Sequence, residues 1–322
     1  VGKIHVQPIE RGLAESRERD GDHAGSGGWN RPYYGFETVE IVAGHGNWAF
    51  SGHYRDWLRD QGVSDNQVNQ WKRTTRLGEK HFFGNGYDWD LPTRYHHSVW
   101  TAERAVAFLR EHDASRPFVL GVGFPDPHHP HVVPNDFEDR VDPADVPMPI
   151  RREGELDDKP PHFLEAREGR LESSPMRGKF PFAGQGAGAD FRAASEQDIR
   201  TGRAYYHTMV RLIDREFGRI LAALDETGLA ENTLIVFTTD HGELLGDHGL
   251  WGKGVFHYEP LLRVPAVVRW PAAIPAGART DAIVSLADLV PTALAAAGLD
   301  VPADVDGVDQ LPVLRGETDH VR

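Results

Sequence analysis

Two spacings of apolar residues run along the chain, one suited to strands and one to helices. Residues 234–237, Leu-Ile-Val-Phe, form a short unbroken apolar run rich in β-branched side chains, and such a run predicts a buried strand. Residues 118–124, Phe-Val-Leu-Gly-Val-Gly-Phe, predict a second strand after the Arg116-Pro117 break, and residues 264–268 a third. Helical spacing appears at 54–58 and at 99–111, where Trp100, Ala102, Ala105, Val106, Phe108 and Leu109 recur at helix-compatible offsets. The clearest helix spans 196–224. It places Tyr205, Met209, Leu212, Ile213, Phe217, Ile220 and Leu221 on one stripe, and Gly228 follows its last turn. A further helix is predicted at 286–297, before Gly298. Residues 8–35 lack clear periodicity and read as a surface loop, and residues 142–190, rich in Pro, Gly and charge, read as a long surface insertion. Strands alternating with helices predict an α/β fold, a mainly parallel sheet sandwiched between helices, in a single domain across 1–322.

At 39% hydrophobic, 322 residues can bury a full core. The net charge is −14, from 35 basic and 49 acidic residues, which argues against a nucleic-acid surface and requires any anion site to carry its own local cations. No apolar run reaches the length of a membrane span. The absence of cysteine excludes disulfides, thiolate metal sites and a cysteine nucleophile within these residues. The chain opens on Val1-Gly2-Lys3-Ile4-His5 without an initiator methionine and stops at Arg322 in a polar stretch, so a fold truncated at both ends is expected.

Chemistry concentrates in 238–254, which holds two Asp-His-Gly units and a lysine directly after an apolar run. Asp240 offers a hard oxygen and His241 a borderline nitrogen, a pair suited to a divalent metal at a strand's end. Asp-His-Gly can equally be a turn with a capping aspartate. Lys253 supplies a cation for an anionic group, whereas Asp247 and His248 read as residues that orient the loop. Lys3 and His5 sit two apart in an extended pattern and would project from one face, as would a plain polar edge strand. Pro125-Asp126-Pro127-His128-His129-Pro130-His131 sets three histidines among prolines, either as an anion or proton-transfer site or as a rigid solvated turn. Gly184-Gln185-Gly186-Ala187-Gly188 lacks a strand before it and a third correctly spaced glycine, and reads as a linker.

Taken in order, Gly2-Lys3-Ile4-His5, Phe124-Pro125-Asp126-Pro127-His128-His129-Pro130, Asp240-His241-Gly242-Glu243 and Gly252-Lys253-Gly254 resemble the sulfatase family of the alkaline phosphatase superfamily. Leu212-Ile213-Asp214, Arg263-Val264-Pro265 and Asp288-Leu289-Val290-Pro291-Thr292 support the likeness, which is of the choline-sulfatase and arylsulfatase kind. The resemblance implies an alkaline-phosphatase-like fold and a sulfuric ester hydrolase acting on a small-molecule or sugar sulfate. It implies that Lys3 and His5 steady a formylglycine nucleophile, and that His128 and Lys253 bind sulfate oxygens and assist the leaving oxygen. Asp240 and His241 would be two ligands of a divalent metal, Ca2+ first and Mn2+ as the alternative because of the histidine. In the family the nucleophile motif and an early aspartate pair precede Gly-Lys-x-His. Both are therefore expected upstream of Val1, and this piece alone is expected to be inactive. Phosphonate monoester or phosphodiester hydrolysis on the same scaffold is the alternative chemistry, and a non-catalytic binder of sulfated glycans the alternative of another class.

Overall fold

A computed structural model describes residues 1–3, 34–77, 86–170, 172–173 and 194–321. The chain divides into two compact units, Val1–Ala223 with Glu243–Phe256, and Leu224–Gly242 with His257–Arg322.

The first unit is mainly helical. It holds α1 (His53–Asp60), α2 (Asp65–Leu77), α3 (His97–Glu111), α4 (Pro161–Arg167) and most of α5 (Glu196–Glu226). Strands β1 (Gly86–Trp89) and β2 (His131–Pro134) pair in parallel, Gly86 opposite His131 and Trp89 opposite Pro134. Its core is aromatic: Tyr54, Trp71, Trp89 and Trp100 pack with Leu58, Val68, Leu91 and Val132. Burial of large rings drives this region, since each contributes far more apolar area than an aliphatic residue. The α5 stripe is realised, with Met209, Leu212, Ile213 and Ile220 all buried.

A second parallel arrangement positions Lys3. Gly2 N–H donates to Glu40 O (2.9 Å) and Val42 N–H to Gly2 O (3.2 Å), while Gly123 N–H donates to Val1 O (2.9 Å) and Lys3 N–H to Gly123 O (2.6 Å). Residues 1–3 thus lie between two neighbours. Gly2 has φ +93°, and a Cβ there would stand 2.2 Å from Gly123 O, so only glycine fits. Among the described residues, the stretch expected as a strand over 118–124 pairs at its end, through the Gly2–Gly123 bridge and the Val1 ammonium donating to Gly121 O (2.6 Å). Gly121 and Gly123 give it no side chains with which to pack a longer ladder.

In the second unit β3 (Ile235–Thr238) runs antiparallel to β4 (Ala266–Arg269). The unit also holds α6 (Glu259–Leu262), α7 (Leu289–Ala296) and α8 (Leu311–Leu314). The chain is therefore α/β, as expected. The 234–237 strand, however, exposes Val236 and Phe237 rather than burying them, and its partner runs the opposite way. Periodicity could not show this, because a short apolar run is compatible with either setting. The start of α7 is held by a capping box on Ser285 and Asp288, and buried Asp288 also accepts from Val308 N–H (2.9 Å) and Gln310 Nε2 (2.8 Å). The described part of the 142–190 stretch does more than cover surface: Val146, Leu156, Phe163 and Ala166 are buried.

Candidate active site

Backbone pairing of residues 1–3 sets Lys3, and the proline-rich turn after residue 124 sets His128. His128 Nδ1 bonds the main-chain oxygen of His129 at 2.6 Å, which fixes the ring's tautomer with Nε2 free of hydrogen. That Nε2 lies 3.3 Å from Lys253 Nζ, a distance at which the ammonium donates to the imidazole. Lys253 sits at the foot of a closed loop. Leu244 N–H reaches Gly252 O (3.4 Å) and Gly246 N–H reaches Leu250 O (2.9 Å), while Arg203 from α5 holds Leu245 O (2.8 Å). Asp247 accepts from Ile150 N–H (3.0 Å) and His248 bonds Glu155 (3.0 Å), so both orient the loop.

A residue not singled out from the sequence joins them. The His45 ring stacks on His128, centroids 3.6 Å apart and planes 6° from parallel, and His129 lies 4.3 Å beyond. Only a lone His-Gly step marks His45 in the sequence, and no spacing connects it to residue 128. Burial above all, then His128, Lys3, His129 and Lys253, drives the His45 pKa far below the usual imidazole value. Burial likewise lowers His128, to about 2, with His129, Lys253 and Lys3 contributing and the bond to His129 opposing. Lys3 and Lys253 thus place positive charge around a histidine cluster in which burial holds His45 and His128 neutral. Such a cluster is costly by itself and is relieved by an incoming anion. Glu243 lines the same loop. Burial pushes its carboxyl up to about 7 against three main-chain N–H donors and Lys253.

Asp240 and His241 belong to the second unit. His241 Nδ1 bonds Gly242 O at 2.7 Å, and its Nε2 stands 3.8 Å from Asp240 Oδ1. Asp240 is exposed, with Oδ1 anchored by His241 N–H (3.1 Å). This orientation fits a divalent ion, the backbone bond holding the imidazole in its ligating tautomer. His5 lies outside the described residues, as does the Gly184–Gly188 glycine run. His131, the third histidine of the turn, is buried in β2 against Tyr206 and Trp251.

One Ser-x-Pro-x-Arg string does occur in the chain, Ser173-Ser174-Pro175-Met176-Arg177, which corrects the expectation that the pattern is confined to sequence upstream of Val1. It follows Gly2-Lys3-x-His5 instead of preceding it. Ser173, its one described residue, bonds Glu165 through its main-chain N–H (2.6 Å) and hydroxyl (2.5 Å), which engages that hydroxyl in local structure.

The family model "Sulfatase" matches residues 33–299. The chain is 35% identical to the multifunctional alkaline phosphatase superfamily protein PehA of Trinickia caryophylli, over 70% of this chain and 42% of that protein. It is 30% identical to an arylsulfatase of Clostridium perfringens, over 96% of this chain and 57% of that protein. Among solved structures, a phosphonate monoester hydrolase of Silicibacter pomeroyi matches with a TM-score of 0.65 at 26% identity, covering 90% of this chain and 57% of that one. The chain thus spans about half the length of the relatives it matches.

Proposed function

Because the chain belongs to the sulfatase family, we propose that the complete protein hydrolyses sulfate esters, with the Lys3–His45–His128–Lys253 pocket binding the sulfate group. One observation carries this reading: Lys253 Nζ and His128 Nε2 face each other at 3.3 Å beside a stacked imidazole, in a protein of net charge −14. A local concentration of cationic donors within an acidic protein needs an anionic ligand to account for it. A sulfate oxygen entering between them would accept from Lys253 and allow His128 to take up a proton, since a nearby negative charge raises an imidazole's pKa. His128 could then donate to the leaving oxygen as the sulfur–oxygen bond breaks, and Lys253 would hold the charge that develops on the sulfuryl oxygens. Lys3 adds a second ammonium on the nucleophile's side, and His5 is assigned with it. Asp240 and His241 would hold two positions of a divalent ion, Ca2+ first and Mn2+ as the alternative; such an ion supplies Lewis acidity. The nucleophile is assigned to a formylglycine, which supplies a geminal hydroxyl for attack on sulfur. Both units are taken as parts of one catalytic domain.

A small-molecule or sugar sulfate is the proposed substrate class. In support, an N-acetylglucosamine-6-O-sulfatase of Bacteroides thetaiotaomicron is 42% identical over 35% of this chain and 20% of its own. The likeness to phosphonate monoester hydrolases, with TM-scores of 0.65 and 0.66, favours a second reading in which a phosphonate ester occupies the same pocket. The test is kcat/KM of the complete protein for an aryl sulfate and for phenyl phosphonate. The sulfate is expected to be preferred. Replacing Lys253 or His128 by Ala should lower its kcat by about 10²–10³, the loss seen when one transition-state donor is removed. A phosphonate preference would install the second reading, and unchanged kcat in both variants would overturn the site.

A further inference from the structure

Beneath the His128 turn, wholly within the first unit, lie three polar side chains in an aromatic enclosure. His96 caps α3, His97 begins it and Asp126 comes from the turn, with side chains 1%, 0% and 1% exposed. His96 Nδ1 stands 3.6 Å from Asp126 Oδ2, and His97 Nδ1 stands 3.4 Å from the same oxygen. Tyr54 and Trp89 close over the imidazoles, edge-on or tilted at centroid distances of 5.6–6.3 Å. His96 Nε2, His97 Nε2 and Asp126 Oδ1 are buried without a hydrogen-bond partner.

These distances discriminate between explanations. An N–H···O hydrogen bond closes to about 2.7–3.2 Å, so neither imidazole is bonded to the carboxylate. Two ligands of one tetrahedral ion with metal–ligand bonds of about 2.0–2.1 Å stand about 3.3–3.4 Å apart, close to the separations found. The charge balance agrees. A fully buried carboxylate needs a compensating cation. Ser98 Oγ donates to Asp126, but that hydroxyl brings no charge.

We propose that His96, His97 and Asp126 form a metal site for a borderline first-row divalent ion, zinc foremost, bound through the two Nδ1 atoms and Oδ2, the ion replacing the long contacts that Ser98 N–H makes to His96 Nδ1 (3.3 Å) and Ser98 Oγ to His97 Nδ1 (3.4 Å) and leaving Ser98 Oγ as the outer hydrogen bond to the carboxylate. Two imidazoles and one carboxylate suit zinc and its neighbours better than calcium, which takes six to eight oxygens. The site shares no residue with the Asp240–His241 pair. It would tie α3 to the turn that carries His128, giving it a structural role. It is independent of the proposed hydrolysis, and its test is read without activity.

The test is metal content. The complete protein with Asp240→Ala and His241→Ala, equilibrated with zinc and desalted, should retain about one equivalent by mass spectrometry. Cobalt in its place should give the visible bands of a tetrahedral ion, as expected for a three-ligand site of this type. Adding His97→Ala with Asp126→Asn should abolish both signals. Should those buried changes prevent folding, the cobalt spectrum of the Asp240→Ala, His241→Ala protein decides alone. A folded protein that retains neither zinc nor cobalt overturns the proposal, as does cobalt binding with an all-oxygen octahedral spectrum.

Discussion

His45 and His128 lie face to face at 3.6 Å, and in the proposed site the tilt of His128, the ring that would meet the sulfate, matters. His128 is held on one edge by His129 O and on one face by His45, so losing either support frees the imidazole to rotate. We expect His45→Ala to lower kcat/KM for the sulfate ester about tenfold, within the range that small misplacements cost. His45→Phe, which keeps a stacking ring without a titrating nitrogen, should restore most of it. An Ala variant with unchanged kinetics would remove His45 from the site. Lys3, His128, Asp240, His241 and Lys253 could be picked out of the sequence because each sits in a local motif with recognisable chemistry. His45, and the His96–His97–Asp126 group, could not. Their meaning lies in contacts between segments about 30 to 80 residues apart, and no short-range spacing encodes a stack or a shared ligand site.

At the level of elements, helices were legible where a long apolar stripe met clear ends. The 196–224 expectation is realised as Glu196–Glu226, and that over 99–111 as His97–Glu111. Helix α2 escaped notice because Asp65–Leu77 is mostly polar, with buried Val68 and Trp71 too sparse to register as a stripe. The strands were misjudged in their setting, since four-residue strands carry too few positions to report direction or exposure. The joints between elements are tighter than the elements themselves. A Cβ on Gly242 would stand 1.8 Å from Pro260 O, where the chain after β3 meets α6. Gly242→Ala should therefore destabilise by about 3 kcal/mol, the upper part of the overpacking range. Gly218 in α5 has open space at the same atom, and Gly218→Ala should stabilise by up to about 1 kcal/mol. Urea denaturation of the two variants against the parent checks both signs.

For the molecule as a whole, the buried histidine cluster links stability to pH. His45 is held neutral by burial first and by neighbouring His128 and the lysines second, so its folded pKa lies below the unfolded value of 6.5. A proton then binds the unfolded chain more readily than the fold. The stability associated with His45 is complete above pH 6.5 and declines as pH falls below it, by at most about 1.4 kcal/mol for each pH unit. Denaturation midpoints measured at pH 7, 6 and 5 should fall less steeply in His45→Gln than in the parent. Equal slopes would show that His45 protonates freely in the folded protein.

The segment around residue 150 grips the Lys253 loop from outside. Ile150 receives His248 N–H (2.8 Å) and gives its own N–H to Asp247, and Glu155 holds the His248 ring. That segment is thereby fastened to the loop that carries Lys253. Remodelling the segment would displace Lys253, the cation proposed to bind sulfate, so transplanting this stretch between relatives would require carrying its latch along.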